Sequence, residues 1–267
     1  MFDAFSRPIT YLRVSVTDRC NLRCTYCTPG SLKDTPHLCS GDILRFEEIE
    51  AVVAYGVKHG IRKVRLTGGE PLMRRGIVSL VEKLARMEGI DDLGMTTNGT
   101  QLRKYANALR AAGLHRLNIS LDTLDASEFS RSTGGGKLAE VLDGIDAARE
   151  AGFGRIKLNC VVAESKNEPA ARKVGAFGEQ EGLEVRYIRR MNLTTGEFWE
   201  VIGGEGGKCD RCNRLRLAAT GEIYPCLFSN ESFSVRRLGI ARAFNLALRH
   251  KPACGHKSDR LFYQIGG

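Results

Sequence analysis

The chain has 267 residues, 42% of them hydrophobic and 27% charged, enough apolar material for one large core under a soluble surface. No apolar run reaches membrane-spanning length and the opening MFDAFSRPIT has no signal-peptide core, so membrane and secreted classes are set aside and a cytoplasmic protein is expected. A net charge of +9 asks for an anionic partner, and without an arginine-rich tail, zinc finger or aromatic RNA-binding signature that partner reads as a small phosphorylated molecule rather than a nucleic acid.

In chain order, LRVSVT (Leu12 to Thr17) alternates like a strand and delivers the cysteine run CNLRCTYC at its C-terminal end, where parallel barrels place their chemistry. Further strands are predicted at Lys63–Thr67, Leu93–Thr97, Arg116–Leu121, Ile156–Val162 and Leu183–Ile188. Helical periodicity lies between them at Phe46–His59, Ile77–Met87, Leu102–Ala112, Leu138–Ala151 and Ala170–Glu181. Gly60, Gly89, Gly113, Gly152 and Gly182 come after those helices as C-terminal caps. Alternation of this kind gives a parallel sheet with right-handed crossovers. Six βα units cannot close an eight-stranded ring, so the expected fold class is α/β: an open, partial parallel β/α barrel over 1–190, its open side covered by the C-terminal part of the chain.

Residues 191–267 differ in character and read as a second segment. MNLTTGEFWEVIGGEGGK (Met191 to Lys208) is a Gly-rich connector whose large aromatics, Phe198 and Trp199, are expected to pack over the open barrel edge. After it come CDRCNRLRLAATGEIYPC, a basic helical pattern near Val235–Lys251 and a tail ending on Gly266 and Gly267.

Nine cysteines in a reducing compartment argue for metal or redox chemistry over disulfides. Six fall in two sets of three: Cys20, Cys24 and Cys27, then Cys209, Cys212 and Cys226. Ordinary [4Fe–4S] sites use four cysteines, so three thiolates leave one iron open to a ligand. A zinc site lacking one ligand is the competing reading of each set. Arg211, Arg214 and Arg216 crowd the second set, and guanidinium forks suit phosphates and nucleobase edges. Cys39, Cys160 and Cys254 are left unassigned and read as buried or incidental thiols.

Downstream of the first set, RLTGGEP (Arg65 to Pro71) brings paired glycines that let backbone approach a ligand closely. With VTDRCNLRCTYC, TTNGT, LNISLDTL, KLNCVV, CDRCNRLRL, YPCLF and the terminal IGG, it resembles the radical S-adenosylmethionine (SAM) enzymes, and within them the GTP 3′,8-cyclase family, over nearly the whole chain. That resemblance implies two [4Fe–4S] clusters, on Cys20, Cys24 and Cys27 and on Cys209, Cys212 and Cys226. It implies SAM against Tyr26, Gly69, Ser120 and Met191. GTP would meet Arg13, Arg65, Thr96 and Lys157, with Arg214, Leu215 and Arg216 beside the second cluster, and Gly266 and Gly267 would reach the radical site.

The reaction it implies is GTP to 3′,8-cyclo-7,8-dihydro-GTP, the first step of molybdenum cofactor biosynthesis. It would be fed by a flavodoxin- or ferredoxin-like electron donor and drained by cyclic pyranopterin monophosphate synthase, with a homodimer compatible. The chain departs from that family in its short stretch between Met191 and Cys209 and in its FYQIGG ending, which bears on substrate identity. A radical SAM enzyme acting on another nucleotide or a peptide shares the first cluster. A non-catalytic iron–sulfur carrier would explain the six cysteines, but neither GGEP nor the tail.

Overall fold

The computed structural model describes residues 1–27, 37–39, 41–260, 262 and 265. Six parallel strands run in sequence order: β1 (Tyr11–Ser15), β2 (Lys63–Thr67), β3 (Asp92–Thr97), β4 (Arg116–Ser120), β5 (Ile156–Val162) and β6 (Glu184–Arg189). Their crossovers carry α1 (Phe46–Lys58), α2 (Ile77–Ala85), α3 (Leu102–Ala111), α4 (Ala126–Thr133) with α5 (Leu138–Glu150), and α6 (Pro169–Gln180). The sheet does not close on itself. Predicted and observed elements agree within one or two residues at each end, the usual fraying zone.

The strands have a period-two division. Leu12, Val14, Val64, Leu66, Leu93, Met95, Leu117, Ile119 and Leu158 have no solvent exposure and belong to the main core. The alternate residues, Arg13, Arg65, Thr96, Asn118 and Lys157 among them, lie on the opposite, concave face. A strand whose two faces differ this way sets its own register, because a one-residue slip would bury the arginines under the helices.

Two features depart from the sequence reading. Helix α4 has no counterpart among the predicted elements: it is short and polar, yet Asp125 caps it by accepting from the Glu128 N–H at 2.8 Å, and Gly134 ends it at φ +70°. Asp-x-x-Glu before a Gly stop was the available signal. The C-terminal segment also does more than cover the barrel. Strand β7 (Arg214–Leu217) pairs parallel to β1, and β8 (Glu222–Tyr224) and β9 (Phe233–Ser234) add on antiparallel, giving one nine-stranded sheet ordered β6-β5-β4-β3-β2-β1-β7-β8-β9. At the other edge the connector folds back along β6, where Tyr187 and Ile202 exchange two backbone hydrogen bonds of 3.1 Å. Phe198 packs in a tilted arrangement on Phe228 with centroids 4.6 Å apart, and the Arg189 guanidinium sits 3.8 Å above the Trp199 ring.

The predicted C-terminal helix is broken at Gly239 into α7 (Val235–Leu238) and α8 (Ile240–Arg249). Helix α8 buries Ala243, Phe244, Ala247 and Leu248 in the main core, and Phe244 packs against Tyr55 and Gly56 of α1. Arg236 of α7 donates to the Glu48 carboxylate and to the carbonyls of Gly41, Asp42 and Ile43. Phe244→Ala removes a fully buried ring at this junction and is expected to cost about 3–5 kcal/mol, read as a lowered denaturation midpoint with the slope unchanged.

Candidate active site

The first cysteine loop leaves the C-terminal end of β1 and is held on three sides. Arg23 and Thr25 N–H groups donate to the carbonyls of Thr133 and Ser132 at the end of α4. Asn21 bonds Thr100, and Asn98 bonds Asn21 while its amide approaches the Cys20 sulfur at 3.9 Å. From the third side comes the Gly68-Gly69-Glu70 loop, whose Gly69 and Glu70 N–H groups donate to the carbonyls of Thr17 and Arg19 at 2.8 Å. A Cβ at Gly69 would lie 2.3 Å from the Arg19 oxygen, so the paired glycines exist here for backbone-to-backbone contact.

Glu70 is buried under this loop, accepting from Leu72 N–H, the Thr97 hydroxyl and Asn98 N–H. Burial outweighs those bonds and raises its pKa to about 7. Tyr26, half-buried, hydrogen-bonds the Asp122 carboxyl, which burial raises to about 6.

Below the loop lies a lumen of about 450 Å³, lined in part by Arg13, Thr96, Ser120, Met191 and Arg216. Parallel register places Arg13 beside Arg65 on one neighbour and Arg216 on the other. Arg65 is 1% exposed, packs over Gly94, whose missing side chain makes room for the guanidinium, and donates to Asn118 at 2.8 Å. The buried Nε–H groups of Arg65, Arg189 and Arg214 have no hydrogen-bond partner. Burial alone would raise the Tyr11 phenol, but Arg13, Arg65, Lys63 and Arg214 draw it down to about 7. Burial, with the like charges of Arg13 and Arg214, pushes Arg216 well below its ordinary value. The lumen is a desolvated cationic chamber short of acceptors.

The second cysteine set occupies the far end of that lumen, not the mouth that carries the first. Because β7 runs parallel to β1, Cys209 and Cys212, which precede it, sit at the N-terminal end of the strands. The β7–β8 hairpin then returns Cys226 beside Arg214. A five-residue strand separates the two sets by about 15 Å. Lys251, 2% exposed, donates to the Cys212 sulfur at 3.4 Å and to the carbonyls of Arg214 and Pro225 at 2.8 Å. Burial pushes the Cys212 thiol up, but Lys251, the Arg214 backbone and the Arg214 charge outweigh it and leave its pKa lowered.

Both sets have the donor chemistry for iron. All six cysteines are free thiols and border one cavity. Burial and the neighbouring charges of Cys20 and Asp122 push Cys24 up to about 12, and burial with Cys24 and Cys20 raises Cys27 further; neither has a cation among its causes. Such thiols ionise when a metal supplies the missing positive charge. Among the described residues no three His, Cys, Asp or Glu side chains converge on a point that one metal ion could occupy. A polynuclear cluster, whose ligands bind separate iron atoms, needs no such point.

Of the residues singled out from sequence, Tyr26, Gly69, Thr96, Ser120, Met191, Arg13, Arg214 and Arg216 border this cavity with the six cysteines. Arg65, beside Arg13 in the sheet, is buried and does not border it. Lys157 is engaged by Glu184 and does not border it. Leu215 is fully buried in the main core on the opposite face of β7, so its side chain cannot reach a ligand in the lumen. Gly266 and Gly267 lie outside the described residues; Ile265 before them is fully buried against Leu193, Tyr224 and Phe228. Sequence reasoning missed Tyr11, Asn118, Asp122 and Lys251. Tyr11 was findable as the residue two before Arg13 on the same strand face, whereas Lys251 carried no signal beyond a basic helix end.

The site and the open sheet define a radical SAM enzyme, and the Radical SAM superfamily profile matches residues 14–171. GTP 3′,8-cyclase of Thermodesulfovibrio yellowstonii is 39% identical, with 89% of this chain and 88% of that one covered. GTP 3′,8-cyclase of Heliobacterium modesticaldum is 37% identical with both chains fully covered, over an alignment of 329 positions, so the relative carries residues this chain lacks. Among solved structures, native anSMEcpe with bound AdoMet superposes with a TM-score of 0.65 at 16% identity (91% and 82% covered), and Streptococcus suis SuiB bound to S-adenosylmethionine with 0.61 at 16% (86% and 64% covered); both share the fold. The chain belongs to the GTP 3′,8-cyclase family of the radical SAM superfamily. No helix among the described residues is long and apolar enough to cross a membrane.

The Glu70 pKa makes a pH-dependent prediction. A carboxyl whose folded pKa is raised from 4.5 to about 7 contributes stability that is present below 4.5 and lost as pH rises through 7. Glu70→Gln cannot ionise, so its stability relative to wild type should climb between pH 4.5 and 7 by up to about 3 kcal/mol and stay flat above. Urea titrations across that range check it; parallel curves would refute the burial assignment.

Proposed function

We propose that this chain converts GTP to 3′,8-cyclo-7,8-dihydro-GTP, the first step of molybdenum cofactor biosynthesis. The observation that carries the reading is the transverse row of Arg216, Arg13 and Arg65, lying between two cysteine sets at opposite ends of one lumen, with unpartnered guanidinium N–H groups around it. A buried cationic row of this kind suits a polyphosphate, because each orphaned donor gains a charge-assisted partner.

Cys20, Cys24 and Cys27 would hold the [4Fe–4S] cluster that reduces SAM, and Cys209, Cys212 and Cys226 a second cluster at the far end. When bound, the first cluster and SAM supply a 5′-deoxyadenosyl radical, chemistry that belongs to the cofactors. What this chain's residues do is bind and exclude. The 68–70 backbone, Tyr26, Ser120 and Met191 border the SAM end, with Tyr26 fixed by Asp122. Arg13, Arg65, Thr96, Arg214 and Arg216 orient the triphosphate, with Lys157 reaching it only by exchanging its Glu184 partner. Between them they set the ribose toward the first cluster and the purine toward the second. The connector paired along β6 closes the sheet edge against water. A flavodoxin- or ferredoxin-like protein supplies the electron, and a synthase that rearranges the cyclised nucleotide to a cyclic pyranopterin consumes the product.

Anaerobically reconstituted protein given SAM, a reductant and each nucleoside triphosphate in turn should cyclise GTP, read by mass spectrometry of the products. Cyclisation of another nucleotide, with GTP untouched, would refute the substrate. Arg65→Ala should weaken GTP binding by about 1.5–3 kcal/mol in anaerobic calorimetry, with Arg65→Lys a poor rescue because it offers no planar fork. Equal affinities would place Arg65 in a structural role.

A further inference from the structure

The sequence counted three cysteines at the far end of the lumen; the fold brings a fourth. Arg7, 6% exposed and paired with Asp3 at 2.6 Å, donates one nitrogen to the carbonyls of Cys209 at 2.6 Å and Ala253 at 2.9 Å, and the other to the carbonyl of Pro252 at 2.6 Å. One buried guanidinium thus pins the chain after α8 against the loop that carries Cys209. As a result Cys254 is held next to the Cys209 loop, with the Cys209 and Cys226 thiols both within electrostatic reach. Gly255 borders the lumen, and a Cβ there would sit 3.3 Å from the Cys226 sulfur. Cys254 is therefore no incidental thiol. It is exposed while the other three are half-buried, and Arg7 fixes the backbone just before it without holding its side chain.

We propose that Cys254 is a displaceable fourth thiolate of the second cluster: it caps the iron that Cys209, Cys212 and Cys226 leave open, and yields that iron to the purine of the incoming nucleotide. The proposal rests on the two-cluster reading of the proposed function. In the exchange the iron–sulfur bond to Cys254 breaks, and the thiolate leaves with its electron pair and takes a proton from solvent. A lone pair of the purine forms the new bond, and no iron changes oxidation state. An open iron is exposed to oxidative loss, and a swinging thiolate protects it until substrate arrives.

The test is alkylation of the full-length, anaerobically reconstituted protein with iodoacetamide, mapped by peptide mass spectrometry. Cys39, also exposed, serves as the internal control. Cys254 should be modified in the cluster-free protein, protected once clusters are built, and modified again on addition of GTP. Cys254→Ser, mildly oxidised without nucleotide, should lose one iron from the second cluster and give the EPR signal of a three-iron cluster, while wild type resists; GTP, which takes the same iron, should protect the variant. Equal alkylation of Cys254 with and without clusters, or a Cys209–Cys254 disulfide in loaded protein, would overturn the proposal. Protection that persists at saturating GTP would overturn the exchange. Iron content read separately decides the underlying reading, since a wild-type chain that takes up only one cluster has no second site to cap.

Discussion

Parallel pairing of β1 with β2 and β7 sets Arg13, Arg65 and Arg216 in one row, and the rest of the site is a consequence of that crowding. Neighbouring strands lie about 4.8 Å apart. Two like charges at that separation repel by about 3 kcal/mol at an effective dielectric constant of 20. The fold tolerates the row because it offsets it: Asn118 accepts from Arg65, and the Tyr11 phenol, drawn toward ionisation, faces Arg13 and Arg65. It does not offset it fully, as the unpartnered Nε–H of Arg65 shows. A chamber built with excess positive charge and removed from water is prepared for a polyanion before any ligand enters.

Where the row sits explains why the two cysteine sets must be far apart. A ligand gripped at mid-lumen presents one end upward to the loop after β1 and the other downward to the loop before β7. The upper loop is held by three separate segments: the end of α4 and the Gly68–Glu70 loop bond its backbone, and Asn98 bonds its Asn21 side chain. The lower one is rigid because Arg7 and Lys251, both buried, direct their donors to carbonyls and to the Cys212 sulfur. The upper loop is fixed mainly backbone to backbone and the lower one by buried cationic side chains, and in both the cysteines border the lumen. The short connector fits the same logic, since two β-bridge hydrogen bonds to Tyr187 and two aromatic contacts are enough to seat it on the β6 edge.

Much of this was legible in one dimension. Alternating apolar and polar residues within each strand, helical periodicity between strands, and glycines after the helices determined six βα units, because those periods arise from backbone geometry alone. Cysteine spacing determined two three-thiolate sets, and GGEP determined a close backbone approach, because local chain geometry decides which sulfurs share a loop. Sequence could not decide how the C-terminal segment docks. That β7 runs beside β1 is a long-range pairing, and it alone makes Arg216 a neighbour of Arg13, puts the second cysteine set at the opposite end of the lumen, and turns Leu215 away from it. The same pairing, with the Arg7 clamp, brings Cys254 to Cys209 across more than forty residues of chain. Local periodicity fixes which face a side chain takes within its own strand; only the packed sheet decides which other face it meets, because that choice depends on the free energy of burying both.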